Sequence, residues 1–276
     1  MRAAVLGSPV AHSLSPALHT AAYAGMGLVD WSYGRQECDE QGLAPFLDGL
    51  DTDWAGLSLT MPLKRRAMEL ATRVGDLSLQ VGGANTLVRE ARGWAAHNTD
   101  VEGIAVALTE AGITAPRGAV VLGAGATAAS ALAALRELGV PGPVTVLARS
   151  TTRAGEVSAA AERLGVRISV APLAEVERHL DTDLVVSTLP SGAADTHAAA
   201  MAVSRADLFD VVYAPWPTKA AEAVADRGGR VVGGLPMLLH QAVAQVRLMT
   251  GVDEVPVSAM RAAGEAELRR RSTTGA

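Results

Sequence analysis

Residues 118–153 read GAVVLGAGATAASALAALRELGVPGPVTVLARSTTR, a stretch that makes sense as a strand, a helix and a second strand wrapped around a bound anion. The apolar run 119–122 ends in Gly123-Ala124-Gly125-Ala126-Thr127-Ala128, and good helix formers follow from 129 to 138. This is the G-x-G-x-x-A form of a dinucleotide fingerprint. Gly123 permits the tight turn, Gly125 lets backbone amides such as that of Ala126 approach a pyrophosphate, and small Ala128 lets helix and strand pack closely. The phosphate then lies at the positive end of the helix. In a chain with 28 glycines the pattern alone is weak, and the flanking strand and helix give it its force.

The second strand, 144–147, ends where the adenosine ribose belongs. An NAD site places Asp or Glu there to accept from the 2′-hydroxyl. Here stand Ala148, Arg149, Ser150 and then Arg153. Two guanidiniums and a hydroxyl suit a 2′-phosphate and no carboxylate repels it, so the expected cofactor is NADP.

Composition bounds the rest. The 276 residues suffice for one large or two modest domains, each with a core. With 49% hydrophobic but only 3% aromatic residues, that core must be Ala, Val and Leu, which suits an α/β protein. No apolar run approaches the roughly 18 residues of a membrane span, and the N-terminal apolar run is broken too soon for a signal peptide. A cytoplasmic protein that avoids membranes is expected. The single cysteine, Cys38, excludes an intramolecular disulfide and reads as a small hydrophobe; no histidine shows metal-ligand spacing. A net charge of −5 argues against nucleic acid as a partner, and Arg269–Arg271 reads as a solvated helix end. The expected partner is a small-molecule substrate, with a monomer or homodimer as the assembly. Lysine occurs only at 64 and 219, so all but two of the 24 basic side chains (Lys and Arg) are arginine. A lysine in such a chain asks what an ammonium can do that a guanidinium cannot.

Taken in order, strands are expected at 2–6, 31–35 and 56–59, helices at 40–50 and 64–71, and a hairpin-like pair at 87–89 and 94–97. A helix over 101–111 precedes a boundary-like segment, 113–118. Beyond the fingerprint, strands are expected at 168–170, 184–187, 208–212 and 231–233, helical segments at 156–164, 173–180 and 193–204, and final helices at 238–249 and 257–270. Polar residues gather at the strand ends of the first part: Ser13 and Ser15 before a helix, where Ser15 reads as an N-cap ahead of Pro16, then Ser58, Thr60 and Lys64, then Asn85 and Asp100. Open α/β sheets bind ligands at such ends. A nucleotide domain facing these clusters implies hydride transfer to a small polar substrate. Lys64 and Asp100, each just beyond a strand end, are the best pair to serve the reacting oxygen.

Seven segments, in order, resemble the shikimate dehydrogenase family. They are the 7–19 stretch GSPVAHSLSPALH, Ser58-Leu-Thr60-Met-Pro-Leu-Lys64, Gly83-Ala-Asn85-Thr86, Asn98-Thr99-Asp100-x-x-Gly103, Ala148-Arg149-Ser150-x-x-Arg153, Asp210-Val-Val-Tyr213-x-Pro215, and Gly234-Leu-Pro-Met237-Leu-x-x-Gln241. The resemblance implies NADP-dependent interconversion of 3-dehydroshikimate and shikimate, a step toward chorismate and the aromatic amino acids. It implies catalysis by Lys64 and Asp100, and substrate binding by Ser13, Ser15, Thr60, Asn85, Tyr213 and Gln241. Cofactor contacts fall to Gly123, Gly125, Ala126, Arg149, Ser150, Arg153, Gly234 and Met237, with no metal. Which of Lys64 and Asp100 is the formal acid stays open. A sister enzyme for quinate or aminoshikimate, or a non-catalytic NADP(H) sensor, would carry much the same pattern. Ser58, Ala148 and Ser150 depart from the family's asparagine, asparagine and threonine, and Pro236 replaces a usual glycine and should stiffen the loop there. The expected architecture is two open α/β domains: a substrate domain with a mainly parallel sheet at 1–102, a Rossmann-like NADP domain at 103–236, and C-terminal helices, 237–276, that pack back on the first domain.

Overall fold

The computed structural model describes residues 1–274, the side chains of Arg153 and Thr274 excepted. The chain forms two compact α/β units, one of Met1–Thr99 with the stretch from Leu238 onward, the other of Asp100–Met237. The first unit holds β1 (Arg2–Gly7), α1 (Ser15–Gly25), β2 (Ser32–Glu37), α2 (Glu40–Asp48), β3 (Trp54–Leu59), α3 (Lys64–Leu70), β4 (Arg73–Val74), α4 (Asp76–Val81), β5 (Thr86–Glu90) and β6 (Gly93–His97). The second holds α5 (Asp100–Glu110), β7 (Ala119–Leu122), α6 (Ala126–Glu137), β8 (Val144–Ala148), α7 (Gly155–Leu164), β9 (Ile168–Pro172), β10 (Leu184–Ser187), α8 (Ala198–Val203), β11 (Asp207–Asp210), α9 (Lys219–Asp226) and β12 (Val231–Val232). Two long helices end the chain, α10 (Gly234–Thr250) and α11 (Val257–Thr274).

The first sheet has the order β2-β1-β3-β5-β6-β4. β1 pairs in parallel with β2 and β3, β4 with β6, and the β5–β6 hairpin joins β3 antiparallel. Side chains alternate across a strand, so β1 feeds two cores. Ala3 and Val5 join Leu18, Ala22, Tyr33, Val243, Val246 and Met260, whereas Ala4 and Leu6 join Leu43, Leu57, Leu59 and Leu63. A strand buried on both faces must be apolar throughout, which is why 3–6 reads Ala-Ala-Val-Leu. α10 and α11 supply part of the first core, so the C-terminal helices do pack on the first unit. The second sheet, ordered β12-β11-β10-β7-β8-β9, is parallel throughout, as in a Rossmann-like domain. Its strand order reverses between β7 and β10, the topological switch point at which such sheets take ligands.

Several local expectations are corrected. Ser15 does not cap α1: Leu14 occupies the cap position, no side chain caps it, and Pro16 lies in the first turn. The Ser13 hydroxyl instead accepts the Ser15 N–H at 3.2 Å. α10 begins a turn earlier than expected, so Pro236 lies in its first turn rather than in a loop, where its missing N–H needs no helical partner. The segments expected as helices at 173–180 and 193–204 are a 3-10 turn (Leu173–His179) and a shorter one (Asp195–His197) leading into α8. β11 stops at Asp210, whose carboxylate accepts the Val212 N–H at 3.2 Å and so takes an amide that could have continued the ladder. The Thr218 hydroxyl accepts from Ala221 N and caps α9, as its place after Pro217 suggests.

Candidate active site

In the second unit, the loops after β7, β8 and β10 line an open cleft of about 480 Å³ bordered by Gly123, Ala124, Gly125, Ala148, Arg149, Ser150, Thr188, Leu189 and Pro190. Gly123 has φ +107°, and a Cβ on it would lie 2.4 Å from Thr188 Oγ1, so only glycine makes this turn. The Thr188 amide and hydroxyl both donate to Leu122 O at 2.8 Å, fixing the opposite wall. Among the described residues no side chain caps α6, so the amides of its N-cap residue Gly125 and first residue Ala126 suit an anion. Among the described residues other than its chain neighbours, none comes within 4 Å of a Cβ built on Gly125, so the space beside it is open. Buried Ala128 sets α6 close against the sheet. Arg149 is exposed beside the cleft, and Ser150 Oγ hydrogen-bonds Thr152 Oγ1 at 2.8 Å. These groups fit a dinucleotide phosphate at the turn and a further phosphate at Arg149. The side chain of Arg153 falls outside the described residues.

Also in this unit, Gly234 N donates to Val212 O at 2.9 Å. A Cβ on Gly234 would sit 2.0 Å from Val211 O, so α10 can start here only with glycine. That contact holds the start of α10 against the loop carrying half-buried Tyr213; Met237 is buried one turn on. Asp210 anchors the loop from below, accepting from Val212 N and from Thr218 Oγ1 at 3.1 Å. Burial pushes its carboxyl above the usual range, against those hydrogen bonds. Asp100, 5% exposed, is the first residue of α5.

In the first unit, the strand ends β1 and β3 are zipped together: Thr60 N donates to Leu6 O and Ser8 N to Met61 O, each at 2.9 Å. This sets Thr60 beside the loop that leads to Ser13 and Ser15. Lys64 opens α3, and its carbonyl accepts the Ala84 N–H at 2.8 Å, which ties it to the turn bearing Asn85. Asn85 is 2% exposed and closely held. Its Oδ1 accepts from Thr99 N (2.8 Å) and Thr86 Oγ1 (3.0 Å), while its Nδ2 donates to Thr99 Oγ1 (2.9 Å) and to Gln241 Oε1 (3.3 Å). Gln241 is itself steered by donating to Leu238 O at 2.8 Å. The structure thus brings Asn85 and Gln241 into direct contact across 156 residues of sequence. Among the described residues, no group of three or more His, Cys, Asp or Glu could hold a metal ion.

Two family models match the chain. The shikimate dehydrogenase substrate binding domain covers residues 5–87, and the shikimate 5'-dehydrogenase C-terminal domain covers residues 234–263. The chain is 34% identical to the shikimate dehydrogenase (NADP(+)) of Synechococcus sp. (strain JA-3-3Ab), over 96% of this chain and 93% of that protein. The chain belongs to the shikimate dehydrogenase family. Among solved structures of shikimate dehydrogenases, that of Mycobacterium tuberculosis superimposes with a TM-score of 0.86 at 44% identity, covering 96% of this chain and 98% of that one. That of Thermus thermophilus, in complex with NADP(H) and shikimate, gives 0.83 at 32% identity, covering 96% and 99%.

Within this shikimate dehydrogenase framework the structure adds residues that sequence reading missed. Arg271 is not part of a solvated helix end. Its side chain is 16% exposed, pairs with Glu267 at 2.8 Å, and donates to His12 O at 2.7 Å and Ser13 O at 3.1 Å. The same loop is held by Glu37, which accepts from Ser8 Oγ (2.6 Å) and Val10 N (3.1 Å), and by Arg35, which donates to Ala11 O. Tyr33 and Gln245 enter through Ser58, one of the departures from the family pattern. Tyr33 OH donates to Ser58 Oγ at 2.6 Å and Ser58 Oγ to Gln245 Oε1 at 2.7 Å. Burial pushes the Tyr33 phenol well above its usual range, opposed by the Ser58 and Ser15 hydroxyls. No sequence signal marks these residues, because each acts on a group far away in the chain.

Proposed function

We propose that this protein is an NADP-dependent oxidoreductase that reversibly reduces 3-dehydroshikimate to shikimate. The observation that carries the reading is the buried array around Asn85. An amide fixed on both its atoms, beside Gln241 and tied through Ala84 to Lys64, is a rigid template for a polyhydroxylated ring in a chain of this family. NADP(H), when bound, supplies or accepts the hydride. Gly123, Gly125 and Ala126 hold its pyrophosphate at the open end of α6, and Arg149, Ser150 and Arg153 take the 2′-phosphate, which favours NADP over NAD. Gly234 and Met237 bound the nicotinamide end.

Ser13 and Ser15 bind the substrate carboxylate, helped by Tyr213, and Thr60, Asn85, Asp100 and Gln241 meet its hydroxyls. Lys64 holds the reacting oxygen and exchanges a proton with it at Nζ, and Asp100 orients the lysine and the adjacent hydroxyl. The test is NADPH formation from shikimate and NADP, run beside quinate and aminoshikimate and with NAD in place of NADP. Turnover that is fastest with shikimate and NADP is expected, and Lys64→Ala should lower it roughly 100-fold or more without preventing nucleotide binding. Faster turnover of quinate, or near-normal rates in the Lys64 variant, would overturn the assignment.

A further inference from the structure

Ser58 lies on the face of the first sheet that α10 covers, and a buried hydrogen-bond chain runs through it. Gln245 Nε2 donates to Asn85 O at 3.2 Å and to Thr86 Oγ1 at 3.0 Å. A backbone carbonyl can only accept, so this contact fixes which way round the Gln245 amide lies. Its Oε1 must then face Ser58, whose hydroxyl must donate, leaving the Ser58 oxygen to accept the Tyr33 proton. At the other end, Thr86 Oγ1 is committed to Asn85 Oδ1 at 3.0 Å. Every proton in the chain has one permitted direction, from Tyr33 through Ser58, Gln245 and Thr86 to Asn85. Tyr33 is itself locked: His19 stacks on its ring with centroids 3.9 Å apart and planes at 17°. The same His19 bonds Ser15 O through Nδ1 at 2.9 Å.

We infer that Tyr33 is a positioning residue for the substrate site, its hydroxyl fixing Asn85 through Ser58 and Gln245 while its ring, with His19, fixes Ser15. The inference rests on the proposed reading of Ser15 and Asn85 as substrate ligands. Tyr33 joins the two ends of that site, the carboxylate end at Ser15 and the ring-hydroxyl end at Asn85. Its hydroxyl donates to the neutral Ser58 hydroxyl, and the next link, Gln245, is an amide, so its part is orientation rather than charge.

Tyr33→Phe keeps the stacked ring and removes only the hydroxyl. The Michaelis constant for shikimate should rise roughly 3- to 10-fold, the range one neutral hydrogen bond commands, with that for NADP unchanged and kcat within about 3-fold. Ser58→Ala breaks the same chain one link on and should act in the same direction. Because both variants cut one path, the double variant should be no worse than the poorer single one, a non-additivity that independent structural damage would not give. Unchanged shikimate constants in folded single variants, equal losses for shikimate and NADP, or effects that multiply in the double variant would overturn the inference. If Tyr33→Phe does not fold, Ser58→Ala decides by the same criteria. Wild-type protein that neither oxidises shikimate nor binds it by calorimetry would overturn the substrate reading itself, a result distinct from variants that match an active wild type.

Discussion

At the scale of single residues, His19 shows how a side chain readable as an ordinary loop or helix histidine becomes constrained by its surroundings. It is fully buried, its Nδ1 faces the Ser15 carbonyl and must carry the proton, and its Nε2 has no hydrogen-bond partner among the described residues. Burial lowers its pKa from 6.5 to about 4, against the bond to Ser15. A folded-state pKa below the unfolded one means the stability is present above pH 6.5 and is lost as the pH falls toward 4. At about 1.4 kcal/mol per pH unit, the loss is of order 3 kcal/mol. Glu267, held to about 2 by Arg270 and Arg271, adds a loss of the same sign, which sets in only as the pH falls below 4.5. His97, half-buried and also lowered by burial, adds a loss of the same sign as the pH falls below 6.5. Thermal melts of the wild type should therefore weaken between pH 6.5 and 4.5, and His19→Gln, which can still donate to Ser15 O, should flatten part of that slope. An equal slope in the variant would show that His19 is not the group responsible. The serines and Lys64 were legible in the sequence because their strand-end positions are local facts. The Tyr33, Gln245 and Arg271 contacts were not, since their partners lie 25, 187 and 258 residues away.

At the scale of elements, the β7–α6 turn was the most legible feature, because its requirements are local and steric. A left-handed φ, an uncapped helix and a small residue facing the sheet are each written in the residue type. Gly123→Ala should cost about 1–3 kcal/mol from backbone strain alone, with the contact to Thr188 adding to it. Melting of the nucleotide-free protein measures this directly, and NADP affinity should fall with it. A variant as stable as the wild type would mean that the turn relaxes more easily than its geometry implies. Elements whose limits depend on partners were less legible. β4 is two residues long and exists because it pairs with β6, a length at which no periodicity can be seen. The end of β11 is set by the Asp210 carboxylate, and the first turn of α10 is hidden in sequence because glycine and proline there suggest a loop.

At the scale of the whole molecule, the chain leaves the first unit after Thr99 and returns at Leu238, so the first core is completed only when its last residues are in place. Met260 of α11 is fully buried beside Leu18 and Ala22 of α1, and α1 and α11 pack along each other. Met260→Ala should destabilise the first unit by about 2–5 kcal/mol. One core of the second unit, built around Val120, Leu122, Val185 and Leu208, shares none of its described residues with it, so NADP binding should survive. Denaturant unfolding with and without NADP would separate the two effects, and a parallel loss of nucleotide affinity would contradict this division. Among the described residues, no helix is long and apolar enough to cross a membrane. The sequence by itself determined the α/β class, the phosphate-binding turn, the arginine and serine after β8, and the polar strand ends, since each depends on residues within a few positions of one another. Only the tertiary structure decided which hydroxyl reaches which carbonyl, that Ser15 lies against Tyr33 rather than capping a helix, and that an arginine near the C-terminus holds the Ser13 loop. Those are contacts between distant segments, and nothing in local propensity encodes them until the two cores of the first unit have closed around β1.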